Sequence, residues 1–233
     1  MPVSFTPVTP IKITDFDYKG VLDSQFTYLG EYSFFEKWKE YWLENFMAEE
    51  EVIKDYMEKF PGSNPILQRV KYYPHLLIED YEVFSFEHIT PFGTIELHFD
   101  VESMKKFIEV NQLEKETINI SQIYVNSETP VIQEKKQDHR IPYFVRMFGT
   151  THSYVCVDGN KRMQVRLGEG QTEFEGYVFY PEHHQAMFIC GVDLKYYILM
   201  YELNTLVALK ESGYDEQRIY ESTQMYLQSV YNK

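Results

Sequence analysis

The stretch Asp158-Gly159-Asn160-Lys161-Arg162 constrains this chain more narrowly than any other. It follows an apolar, β-branched run, Tyr154-Val155-Cys156-Val157, and precedes Met163-Gln164-Val165-Arg166-Leu167, which reads as a helix. Strand, tight glycine turn and helix start together form a layout suited to holding phosphate. Glycine tolerates either sign of φ and lets backbone approach a ligand closely. The first N–H groups of a helix have no intrahelical acceptor and point outward toward an anion. Lys161 and Arg162 add positive charge, and arginine can grip phosphate oxygens with two parallel bonds. Arg166, four residues beyond Arg162, falls on the same helix face. Asp158 is placed to cap the helix, orient Arg162 or help hold a metal ion. The plainer alternative is a surface turn with an Asx cap and solvated cations.

Charge limits the partners. The chain carries a formal net charge of −14, which repels nucleic acid and anionic membrane. Any anion binding must therefore be local, and unaided DNA binding is not expected. The window Gln133–Gly170 differs from the rest, with seven Lys or Arg against four acids. Two cysteines, Cys156 and Cys190, lie outside any CxxC spacing, so no zinc ribbon is indicated. Cys156, inside an apolar run, reads as a small buried hydrophobe. A reducing cytoplasm is the expected location, since Met1–Phe5 shows no secretory pattern and Tyr196–Leu209, broken by Glu202 and Asn204, is too short and polar to span a bilayer.

At 233 residues, one large domain or one domain with an added part is expected. The first thirty residues read as an extended arm with a strand near Ile11–Ile13. Ser33 is then expected to cap a long helix through Phe60, with Phe34, Trp38, Tyr41, Trp42, Phe46, Ile53, Met57 and Phe60 on its apolar face. Strands are expected at Tyr81–Phe86 and Thr94–Phe99 about a Pro91-Phe92-Gly93 turn. A helix follows over Ser103–Asn111, capped by Ser103. Further strands are expected at Thr117–Val125, Ile141–Phe148, Tyr154–Val157 and Phe174–Tyr180. Leu194–Lys210 reads as a helix apolar nearly all round, buried in this chain or in an oligomer. Asp215 caps a last helix carrying Ile219, Tyr226, Leu227 and Val230.

The order of these elements from Thr117 to Phe179 resembles the ParB/sulfiredoxin superfamily domain. Its marks are an I-x-x-I strand, a Pro-containing segment, a strand opening I-P, and Y-x-V-x-D-G-N-H-R leading into a helix and another strand. Here they read Ile120-Ser121-Gln122-Ile123, Glu128-Thr129-Pro130, Ile141-Pro142, Tyr154–Arg162 and Phe174–Tyr180. The resemblance covers about a quarter of the chain. It implies a ParB/sulfiredoxin-like mixed sheet with helices over 113–185; with the flanking elements read above, the expected fold is α+β, with an N-terminal α/β segment over 1–112 and C-terminal helices over 186–233. It also implies a phosphate loop of Gly159, Asn160, Lys161 and Arg162, joined on the same helix face by Arg166, for ATP, CTP or another phosphate-bearing ligand, with Mg²⁺ as a candidate companion. Asp158 matches the acid before the glycine.

Two departures narrow what the resemblance implies. Lys161 stands where the family has histidine, so a neutral imidazole base is absent there. Asn160 stands where sulfiredoxins carry their catalytic cysteine, which argues against sulfinic-acid reduction. A kinase branch of the family uses a glutamate near the first strand as general base, and Glu128 is its counterpart; hydrolase and phosphotransferase chemistry both stay open. His139-Arg140 is either an exposed loop pair or one that reaches the phosphate loop, while His183-His184 lacks a third metal ligand. A rival reading is a non-catalytic interaction or regulatory module, of the kind mobile elements encode. It would capture a protein partner or a second copy through its C-terminal helices.

Overall fold

The computed structural model describes residues 2–6, 9–62, 65–71, 77, 80–126 and 138–223. Aromatic residues at helical spacing build the first of two compact units, which comprises Met1–Glu79, Glu87–Leu97 and Cys190–Lys233. Short strands β1 (Val3–Ser4) and β2 (Lys12–Ile13) pair antiparallel at its start. Two short helices follow, α1 (Tyr18–Ser24) and α2 (Phe26–Leu29), where an extended arm was expected. Asp17 starts α1 by accepting a bond from the Gly20 N–H, a local cap legible in Asp17-x-x-Gly20.

Helix α3 (Phe35–Lys59) buries Phe35, Trp38, Trp42, Phe46 and Ile53 along one stripe. Each such aromatic adds about 2–3 kcal/mol by leaving water. Its expected cap, Ser33, is diverted: both its N–H and its hydroxyl donate to Glu216 Oε1, at 2.7 and 2.6 Å. After α4 (Pro65–Val70), β3 (Val83–Thr90) and β4 (Gly93–Asp100) form a two-stranded hairpin about the expected turn. The tip of that hairpin belongs to the first unit and its base to the second.

The second unit comprises Asp80–Phe86 and His98–Ile189. Helix α5 (Val101–Asn111) is capped by Asp100, which accepts from the Ser103 N–H at 3.0 Å; Ser103 lies inside the helix. The expected single strand Thr117–Val125 is two strands, β5 (Lys115–Asn119) and β6 (Ile123–Tyr124). Between them a 3-10 turn over Ile120–Gln122 is started by the Asn119 side chain, which accepts from the Ser121 N–H. That turn separates the two halves to opposite edges of one sheet. With β7 (Tyr143–Arg146), β8 (Tyr154–Asp158) and β9 (Glu173–Phe179), the sheet order is β5-β9-β7-β8-β6.

The sheet is mixed: β9–β7 and β6–β8 are parallel, β5–β9 and β7–β8 antiparallel. Helix α6 (Asn160–Gly168) sets Met163 into a core of Ile118, Ile123, Phe144, Cys156, Phe174 and Val178. The architecture is therefore α+β, with its mixed sheet inside the second unit.

The chain returns to the first unit with α7 (Gly191–Glu211) and α8 (Glu216–Tyr220), the latter capped by Asp215 as expected. Helix α7 is apolar on all sides because this chain buries it: Val192, Tyr196, Tyr197, Leu199, Leu203 and Leu206 are enclosed, and α7 packs on α3. Tyr226, Leu227 and Val230 lie outside the described residues. No described helix is long and apolar enough to cross a membrane.

Candidate phosphate-binding turn

Strand β8 supplies the rigid approach. Val155, Cys156 and Val157 are buried, and Asp158 ends the strand opposite Tyr143 of β7. The Cys156 thiol donates to the Asp158 carbonyl at 3.2 Å, and burial pushes its pKa well up, so it is a packed hydrophobe and no nucleophile.

Gly159 makes the turn at φ +101°, a left-handed conformation. A Cβ there would lie 2.9 Å from both Pro142 Cβ and Arg162 Nη2. The position demands glycine on both counts. Helix α6 begins at once, with the Met163 N–H donating to the Gly159 carbonyl at 2.9 Å. Among the described residues no side chain caps this N-terminus, so its first N–H groups keep their outward polarity.

The three side chains that follow point to different places. Asn160 is buried and turned inward: its Nδ2 donates to the Cys156 carbonyl at 2.8 Å and its Oδ1 accepts from the Asn126 N–H at 2.9 Å. Gln164 Nε2 donates to the Asn126 carbonyl at 3.1 Å. Together they tie the exit of β6 to the start of α6. Lys161 is exposed, with no ion pair among the described residues. Arg162 is 3% exposed; its Nη2 donates to Asp158 Oδ2 at 3.0 Å and its Nη1 reaches Asp138 Oδ2 at 3.5 Å.

Asp138 is the residue that sequence reasoning missed. Arg140 forks onto its carboxylate, with Nε 3.1 Å from Oδ1 and Nη2 2.9 Å from Oδ2, and the Arg140 N–H donates to Oδ1 at 3.1 Å. Arg166 Nη2 donates to the Asp138 carbonyl at 3.2 Å. The Arg140 hydrogen bonds, with help from the Arg162 charge, hold the Asp138 carboxyl well below the usual carboxylate range despite burial. The one available signal was an acid inside a basic window, too weak to single it out. Tyr143, beside Asp158, has its pKa pushed up to about 12, by burial first and by the Asp158 charge second. Its phenol therefore stays a donor.

The expected loop residues thus share one small region but not one role. Asn160 is a structural clip. Arg162 and Arg166 bind inward to aspartates, and Asp158 serves as a partner of Arg162. Lys161 is the exposed cation of the group, beside a helix start that no described side chain caps. Glu128 lies outside the described residues.

No group of three or more His, Cys, Asp or Glu among the described residues is gathered for a metal ion. His183 is engaged locally, its Nδ1 accepting from the Tyr180 N–H at 3.2 Å. No protein-family model, curated protein or solved structure matches this chain.

Proposed function

We propose that this protein binds a phosphate-bearing ligand, a nucleotide such as ATP or CTP, at the start of α6, in the manner of the ParB/sulfiredoxin-like proteins that its sequence resembles. The observation that carries this reading is Gly159: a left-handed glycine, closed to any larger residue, joins a buried strand directly to a helix that no described side chain caps. Such a start offers N–H groups and a positive dipole end to an anion, and exposed Lys161 adds a cation beside them. The phosphates would meet these groups first, beside Arg162, which in the free chain is paired with Asp158 and Asp138. Both nearby carboxylates, Asp138 and Asp158, are taken by arginine. A Mg²⁺ ion would therefore arrive bound to the nucleotide phosphates, as is common for this cation. Nucleotide hydrolysis and phosphoryl transfer are the reactions this reading admits, with Glu128 as the candidate base. A reducing cytoplasm is the setting proposed.

The interaction-module alternative drew support from an apolar C-terminal helix. Helix α7 packs on α3 of the same unit and is largely buried there, while the acidic helix expected over Ser33–Phe60 and Lys161 in place of a histidine also stand behind that alternative.

Titration with fluorescent ATP and CTP, with and without Mg²⁺, tests the proposal. Saturable binding should weaken about tenfold in Lys161→Ala, one exposed charge–phosphate contact, with no change in melting temperature. Absence of binding up to millimolar nucleotide, or equal binding by the variant, refutes it.

A further inference from the structure

Three arginines converge on Asp138, two on its carboxylate and one on its carbonyl. A phosphate group is likewise a multiply accepting anion, and two of its oxygens take an arginine fork in the same bidentate way. The cluster also retains a cationic excess, with Arg140, Arg162 and Arg166 set against Asp138 and Asp158. Arg162 Nε is buried and has no hydrogen-bond partner among the described residues, so the guanidinium keeps an unused donor.

The two aspartates differ in how they are held. Asp158 is part of β8 and is paired across the sheet with Tyr143. Asp138 and Arg140 belong to no helix or strand, and they precede Pro142, whose carbonyl accepts from the Tyr177 N–H at 3.0 Å. Asp138 therefore lies outside the sheet ladder that fixes Asp158. The Arg140 side chain is 62% exposed, which opens the cluster to solvent on that side.

From this arrangement we infer that the Asp138 carboxylate is a built-in stand-in for the ligand phosphate. It occupies Arg140 and Arg162 when no ligand is bound and yields them when a phosphate group arrives at the α6 N-terminus. The inference rests on the nucleotide reading above and adds a regulatory element to it: affinity is set by competition between an internal carboxylate and the external anion.

Calorimetric titration of the wild-type chain, Asp138→Asn and the double variant Asp138→Asn/Arg140→Gln with ATP and with inorganic pyrophosphate tests this. Asn keeps the hydrogen-bond acceptor and removes the competing charge. Asp138→Asn should bind both probes about tenfold tighter, the scale of one nearby charge at protein-surface screening. Adding Arg140→Gln should cancel the gain. Equal or weaker binding by Asp138→Asn, with the wild type binding, overturns the inference and makes Asp138 a positioning residue while leaving the nucleotide reading intact. Failure of wild type and variant alike to bind either probe removes the nucleotide reading, and the inference with it.

A second measurement needs no variant. Followed by carboxyl carbon NMR, the Asp138 side chain should titrate well below the usual carboxylate range in the free chain. It should move up into that range under saturating ATP. A titration that stays low in the saturated protein contradicts displacement.

Discussion

Glu202 in the first unit and Arg162 in the second are both charged residue types enclosed by protein, at 2% and 3% exposure, and they resolve that cost in opposite ways. Arg162 has carboxylates on two sides, Asp158 at 3.0 Å and Asp138 at 3.5 Å. Glu202 has indoles. Its Oε2 accepts from Trp42 Nε1 at 3.0 Å, and Trp38 stands nearby with its Nε1 forming no bond of ordinary length. Burial pushes the Glu202 pKa up to about 8, with the two indole N–H groups pulling it back only in part. At neutral pH Glu202 is therefore mostly protonated, an uncharged hydrogen-bonding side chain within the α3–α7 packing. Burial does not decide ionisation by itself; the partner decides it. A paired charge can be drawn on by a ligand, whereas a neutralised one serves packing.

The largest expected effect breaks the comparison from the Glu202 side. Its folded pKa lies above its unfolded one. The stability it contributes is therefore complete below pH 4.5 and is lost as pH rises through about 8. The loss is on the order of 4 kcal/mol. Glu202→Gln keeps an acceptor for Trp42 and cannot ionise. At pH 9 it should melt roughly 10 °C above wild type, and at pH 5 the two should coincide. Parallel melting curves across that range would show that Glu202 is not held neutral.

Arg162→Met probes the other side. It takes the arginine partner from Asp158 and one of the two arginines from the Asp138 carboxylate, and should cost about 3 kcal/mol in denaturant unfolding, as for a broken buried pair. A cost near zero would mean that the pairs contribute nothing. Gly159→Ala should cost about 2 kcal/mol, from the left-handed φ and the contacts with Pro142 and Arg162. It should also weaken nucleotide binding by moving the first turn of α6; an unperturbed variant would show that the turn is not tight.

The strand–glycine–helix at β8 and α6 was legible because each of its signals is local: a β-branched run, a glycine, a helical spacing. Helix α3 was legible for the same reason, through the stripe from Trp38 to Ile53. What was not legible depended on distant partners. Ser33 reads as a cap, but the helix starts at Phe35 and the Ser33 hydroxyl is turned to Glu216. Glu202 reads as a break in an apolar run, since its partner Trp42 lies 160 positions upstream. Thr117–Val125 reads as one strand, and only the Asn119 turn divides it. Asp138 reads as an ordinary loop acid until three arginines meet on it.

The central claim is that an anion sits at the start of α6, and amide NMR tests it most directly. On titration with ATP, the Asn160, Lys161 and Arg162 backbone N–H signals should shift saturably and to the same midpoint, and the Glu202 N–H should stay still. ATP binding that leaves those three signals unmoved, or no binding at millimolar ATP, would contradict the account.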